Sequence, residues 1–229
     1  MYSDPSKIRR VTSIGAGPIG AGWAAHFLAR GYDVTAYLHD TSETKAFNLI
    51  LKTAWVSLTK LGLAEGASLA RLSIVTDLET ALDNADFVQE SAPERLNIKQ
   101  DLYKKMGDIL PESVVIGSST SGLTMTEIQA SCASPERCVI GHPFNPPYLL
   151  PLVEIVGGDK TAIEAVSWAG KFYEIAGKAP LIMKKEIPGF VATRLQEALW
   201  REALHMVANG EATPKDIDIA LMNGPAPRM

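Results

Sequence analysis

Between Val11 and Asp40 the chain reads VTSIGAGPIGAGWAAHFLARGYDVTAYLHD. A short apolar run enters three glycines, Gly15, Gly17 and Gly20. A helix pattern follows and stops at Gly31, and a second apolar run closes the unit. Each glycine has a separate duty. Gly15 permits the tight strand-to-helix turn, Gly17 lets main chain approach a pyrophosphate, and Gly20 allows close packing of helix on strand. Pro18 suits the first helical position, and the helix start aims N–H groups and a positive dipole end at the same point. Gly15, Gly17, Pro18, Ile19 and Gly20 are therefore the expected contacts to a dinucleotide; the competing reading is a βαβ turn that holds no phosphate.

One position breaks the pattern. An acidic residue that grips the adenine ribose belongs at the end of the second strand, about twenty residues on. That position is Leu38. Asp40 either reaches the ribose in its place or caps the helix that starts in TSETK. No arginine stands there to receive a 2′-phosphate, so NAD is expected rather than NADP.

Composition narrows the function classes. A net charge of −4 over 229 residues offers no basic field for nucleic acid or an anionic membrane. Cys132 and Cys138 lack metal-ligand spacing and read as reduced structural thiols, so no metal site is expected. The start MYSDPSKIRR is unlike a secretory leader, and no apolar run is long enough to cross a bilayer. A cytoplasmic protein is the expectation.

Strand and helix signals alternate through most of the chain. A helix is expected from about Glu43 to Leu61, with Phe47, Ile50, Leu51 and Trp55 at helical spacing. Strands follow at Leu72–Thr76 and Asp86–Ser91, then a helix at about Arg95–Ile109 and a strand at Ser113–Ser119. A helix near Thr126–Ser131, strands at CVIGH and LVEIV, a helix at Ala162–Ile175 and a strand at APLIM complete the series. This alternation predicts an α/β, doubly wound, mostly parallel sheet. Beyond Pro188 only helix signals remain, in VATRLQEALWREALHMVANG and TPKDIDIALMNG. The division expected is a dinucleotide-binding domain over 1–186 and a short all-α domain over 187–229. About forty helical residues make a small core, so that part must pack on the first domain, pair with another copy, or both.

In such sheets ligands sit beyond the carboxyl ends of the strands. SSTSGL places Ser119 and Ser121 there, although a plain polar turn reads equally well. GHPFNPP places His142 at the end of the CVIG strand, and Glu154 in LVEIV can meet it across adjacent strands. A carboxylate on one imidazole nitrogen fixes the tautomer and stabilises the imidazolium formed when the other takes a proton. Glu154 read alone is an inward-pointing edge charge. Glu90, Glu94 and Lys99 follow the DFVQ strand, where caps and solvated charges are the default and contacts to the nicotinamide ribose or substrate are the functional reading. Phe144 to Tyr148 form a proline-stiffened loop over the site. His26, His39 and His205 are given no chemistry.

The motifs GAGPIGAGW, QESAPERLNIKQDL, IGSSTSGL, ERCVIGHPFNPPYLLPLVEIVGG, PGFVATRL and EALWREALHMV together resemble the 3-hydroxyacyl-CoA dehydrogenase family, most closely its carnitine branch. The resemblance implies a Rossmann-type NAD domain, a helical C-terminal domain used in dimerisation, and oxidation of the 3-hydroxyl of a small 3-hydroxy acid, carnitine first. It implies His142 as the catalytic base, Glu154 as its partner, Ser121 on the reacting oxygen, and Glu94 and Lys99 at the cofactor. Short-chain 3-hydroxyacyl-CoA and L-gulonate are the alternative substrates, and a weak or inactive NAD-binding remnant is the alternative class. Three features depart from the pattern. Leu38 replaces the ribose-binding acid. Thr193 stands where acyl-CoA enzymes carry an active-site asparagine and carnitine enzymes an aspartate; it keeps a hydroxyl but has no charge. The family's helical domain also runs well beyond GPAPRM.

Overall fold

The computed structural model describes residues 2–224 and 226, so most of the closing GPAPRM lies outside the described residues. The chain divides into two compact units, Met1–Pro188 and Gly189–Met229.

In the first unit, β1 (Arg10–Ile14) leads through the glycine turn into α1 (Pro18–Ala29) and β2 (Asp33–Tyr37), followed by α2 (Thr44–Leu61). Next come β3 (Leu72–Val75), α3 (Leu78–Leu82), β4 (Phe87–Glu90), α4 (Leu96–Ile109), β5 (Val115–Ser118) and α5 (Met125–Ile128). The series ends with β6 (Cys138–Pro143), β7 (Leu152–Gly157), α6 (Ile163–Ile175) and β8 (Ala179–Ile182). All eight strands form one sheet in the order β3-β2-β1-β4-β5-β6-β7-β8. Every neighbouring pair is parallel except β6 and β7. The order reverses between β1 and β4, which opens the crevice where such sheets take ligands.

Burial explains why β1, β4, β5 and β6 read as apolar runs rather than alternating ones. They lie inside the sheet with both faces covered, and nearly all their residues are buried. The core on the α1 and α6 face is aromatic. Trp23 stacks on Phe27 at 5.1 Å between ring centroids, and Phe87 lies 4.3 Å from Phe172. Small residues Ala21, Ala24 and Ala25 let α1 sink among these rings, so every residue from Gly20 to Ala29 is buried.

Two local differences from the sequence reading have simple causes. The five-residue α3 is too short to show helical periodicity; its signal is the cap, where Thr80 N–H donates to Asp77 at 2.7 Å. The helix expected at Thr126–Ser131 is α5 followed by a 3-10 turn, Gln129–Ser131.

The second unit is α7 (Ala192–Ala208) and α8 (Pro214–Asn223), the latter opened by a reciprocal cap between Thr213 and Asp216. Leu195, Leu199, Trp200 and Leu204 stand exposed on α7. Among the described residues no helix is long and apolar enough to cross a membrane, and no group of metal ligands gathers.

Candidate active site

Steric tests at the glycines define the turn. Gly15 has φ +115°, and a Cβ there would lie 2.4 Å from the Ser91 carbonyl oxygen. A Cβ on Gly20 would meet the Gly15 carbonyl at 2.1 Å. Gly17, the N-cap of α1, meets nothing within 4 Å. The first two glycines are required by packing, whereas the third leaves open space before a helix start whose first N–H groups have no intrahelical partner. That cradle fits a pyrophosphate, with Pro18 and Ile19 opening the helix behind it.

At the far end of β2 the two candidates separate. Leu38 is fully buried in the core. Asp40 takes its structural option: it accepts from Ser42 N–H at 2.7 Å while Glu43 reaches back to the cap. Those hydrogen bonds from Ser42 hold the Asp40 carboxyl below its ordinary value.

The loop after β4 is built around a buried charge. Lys99, 1% exposed, donates to Glu90 Oε1 at 2.6 Å and to the Ala92 carbonyl at 3.2 Å, with Glu94 Oε2 at 3.6 Å. Glu90 is also fully buried and accepts from Ser118 and from the Ala92 N–H, each at 2.6 Å. Glu94 passes the network to the next strand end, accepting from the Thr120 hydroxyl and from the backbone N–H groups of Ser121 at 2.9 Å and Gly122 at 3.0 Å. Burial raises the Glu94 pKa, but Thr120, the Lys99 charge and the two backbone donors outweigh it and hold the carboxyl below its usual value. Lys99 therefore shapes this loop from within, and Glu94 sets the backbone of exposed Ser121. Glu90 is the organiser that sequence reading passed over as one member of a charged cluster. Its signal was a carboxylate ending the buried strand FVQE, where an ion pair is needed.

His142 and Glu154 face each other in register across β6 and β7. His142 Nδ1 lies 3.0 Å from Glu154 Oε2; the histidine is 7% exposed and the glutamate fully buried. The antiparallel pair brings the imidazole and carboxylate together, as expected from the sequence. Phe144 stands edge-on to the imidazole at 5.4 Å between centroids.

Ser119 belongs to a polar seam behind these groups. Its Oγ accepts from Gln89 at 2.9 Å and Trp23 Nε1 at 3.2 Å, and lies 2.9 Å from Ser91 Oγ. Gln89 accepts in turn from the Tyr173 hydroxyl at 2.5 Å. A Cβ on Gly141 would strike that hydroxyl at 2.0 Å, so the strand carrying His142 needs glycine there. Thr193 lies in α7, in the second unit.

A glycine-lined cradle stands at the switch point and a buried imidazole–carboxylate pair on β6 and β7 of the same sheet, and the comparisons with known proteins make the chain an NAD-dependent oxidoreductase acting on CH–OH. The chain belongs to the 3-hydroxyacyl-CoA dehydrogenase family: its NAD binding domain matches residues 10–187 and its C-terminal domain residues 189–229. The chain is 56% identical to L-carnitine dehydrogenase of Streptomyces coelicolor, covering 99% of this chain and 71% of that one. Identity is 50% to the Pseudomonas aeruginosa L-carnitine dehydrogenase, with 96% and 68% covered. Among solved structures, 3-hydroxybutyryl-CoA dehydrogenase from Escherichia coli superposes with a TM-score of 0.84 at 31% identity, over 94% of this chain and 46% of that one. An NAD-dependent 5-formyl-3-hydroxy-2-methylpyridine 4-carboxylic acid 5-dehydrogenase gives 0.86 at 34%, over 94% and 70%.

Proposed function

We propose that this protein oxidises the 3-hydroxyl of a small 3-hydroxy acid, L-carnitine before others, with His142 as general base. The observation that carries the chemistry is the 3.0 Å contact between His142 Nδ1 and buried Glu154. The similarity to L-carnitine dehydrogenases carries the substrate. Glu154 accepts from Nδ1–H, which leaves Nε2 as the nitrogen that takes the hydroxyl proton, and the carboxylate offsets the charge of the imidazolium formed. Ser121 donates to the reacting oxygen from the neighbouring strand end. Bound NAD supplies the hydride acceptor. The Gly15–Gly20 turn holds its pyrophosphate, and Glu94 and Lys99 keep the loop beside it in shape. Phe144, next to the imidazole, offers a π-face to a trimethylammonium group. Thr193 is assigned on its family position alone.

The same reading puts the protein in the cytoplasm and pairs two copies through the helical unit, in keeping with the apolar side chains exposed on α7. Buried Leu38 and the capping role of Asp40 favour one second reading, a chain that holds NAD without turnover.

A panel of L-carnitine, L-gulonate and 3-hydroxybutyryl-CoA, each with NAD and NADP and followed by reduced-nicotinamide absorbance, decides between these readings. Turnover of carnitine with NAD is expected. Preference for another substrate overturns the choice of carnitine, and NADH binding without turnover of any substrate selects the second reading.

A further inference from the structure

Lys178, in the GKAP segment ahead of β8, is a buried cation outside the site described above. It is 7% exposed. Its ammonium donates to the carbonyl of Pro147 and to that of Leu150 at 3.2 Å, and it lies 5.0 Å from the centroid of the Trp23 ring. Both carbonyls belong to the loop that leaves β6 just after His142 and Phe144. Trp23 belongs to α1, the helix whose start forms the phosphate cradle, and its indole N–H donates to Ser119. The loop also rests on α1 directly: a Cβ on Gly22 would come within 2.8 Å of Pro147 Cδ.

We propose that Lys178 is a positioning residue that locks the Pro147–Leu150 loop onto the cofactor helix and so sets the distance between the substrate side of the site and the nicotinamide side. Two carbonyls and an aromatic face replace the water that a lysine ammonium ordinarily keeps. They come from the loop and from α1, so the side chain ties the loop to a helix that no strand pairing joins to it. Freed from Lys178, the loop loses its seat on α1, and its local turn, in which the Leu149 and Leu150 N–H groups bond to Pro146 O at 3.0 and 3.1 Å, opens more often. An error of about 1 Å in such a seat reduces turnover by up to roughly a hundredfold.

The inference rests on the proposed reading that the end of β6 is the catalytic end, so its test includes arms that need no substrate. Lys178→Met keeps the aliphatic stem and removes the donors. Gly22→Ala pushes Pro147 off the helix with Lys178 intact. In both variants, hydrogen exchange at Leu149 and Leu150 is expected to speed up about tenfold or more while the amides of β1 and β4 hold their protection. The KM for the hydroxy acid should rise more than the NAD dissociation constant. Unchanged loop exchange in either variant overturns the proposal. So does exchange that speeds up equally throughout the protein, which would make Lys178 a matter of stability alone. If the unaltered protein turned over none of the panel substrates, the function proposed above would fail, while exchange and NAD titration would still decide the role of Lys178.

Discussion

His142 carries the sharpest expectation at the scale of single residues. His142→Gln keeps a polar group near Glu154 but cannot act as the proposed base. Turnover should fall about 10²- to 10⁴-fold with NAD affinity retained, which pre-steady-state absorbance and a binding titration would report. Lys178 gives a second, electrostatic test. Burial, and then the nearby Arg30 charge, pull its pKa from 10.5 to about 7. His26, also packed in this region, is itself held well below its ordinary value, first by burial and then by the Lys178 charge. Between about 7 and 10.5 the unfolded chain holds a proton that the native protein has given up, so the contribution of Lys178 to stability increases as pH rises through that window and is smallest below it. Urea denaturation of the unaltered protein and of Lys178→Met at pH 6.5 and at about pH 9.5 should show the difference moving in favour of lysine at the higher pH. A constant difference would refute that sign. The neutral amine still has N–H donors for both loop carbonyls, so the seat of the loop survives the titration.

At the scale of elements, the β1–α1 turn separates two kinds of glycine. Gly20→Ala drives a Cβ into the Gly15 carbonyl and should lower the melting temperature markedly. Gly17→Ala meets no protein atom and should leave melting nearly unchanged while weakening NAD binding, because its methyl enters the pyrophosphate space. Paired thermal scans and NAD titrations check this; loss of stability in Gly17→Ala would refute it. This turn was legible in the sequence because its constraints are local: strand, glycines and helix lie within thirty residues. The His142–Glu154 pair was legible for a related reason, since two adjacent strands separated by a short excursion leave few registers. The seat of the Pro147–Leu150 loop was not legible. It depends on Lys178 meeting Gly22 and Trp23, which lie far from it in the chain and share no periodic signal with it. The capping role of Asp40 lay between, since its residue type fitted a cap and a ribose contact alike and only coordinates chose.

For the whole molecule, the first unit has the burial of a self-sufficient core, whereas α7 and α8 leave Leu195, Leu199, Trp200, Leu204 and Met222 open. Helices with apolar faces of this size need a partner surface. Sedimentation should therefore find a dimer at micromolar concentration, and Leu199→Glu with Leu204→Glu should shift the protein toward monomer without altering the far-UV spectrum. A monomer at all concentrations would remove the proposed pairing. The alternation of strands and helices made the mostly parallel sheet with its helices visible in the sequence. The reversal of β6 against β7 does not show in the residue pattern of two buried strands; its signal lay in the connection from Pro143 to Leu152, too short for a parallel crossover.

That reversed pair has a consequence for heat tolerance. The imidazole and its carboxylate are held opposite one another by main-chain rungs, not by a mobile lid, so warming cannot part them gradually. The pairing of imidazole with carboxylate should persist almost to the melting point and then vanish with the sheet itself, in one step.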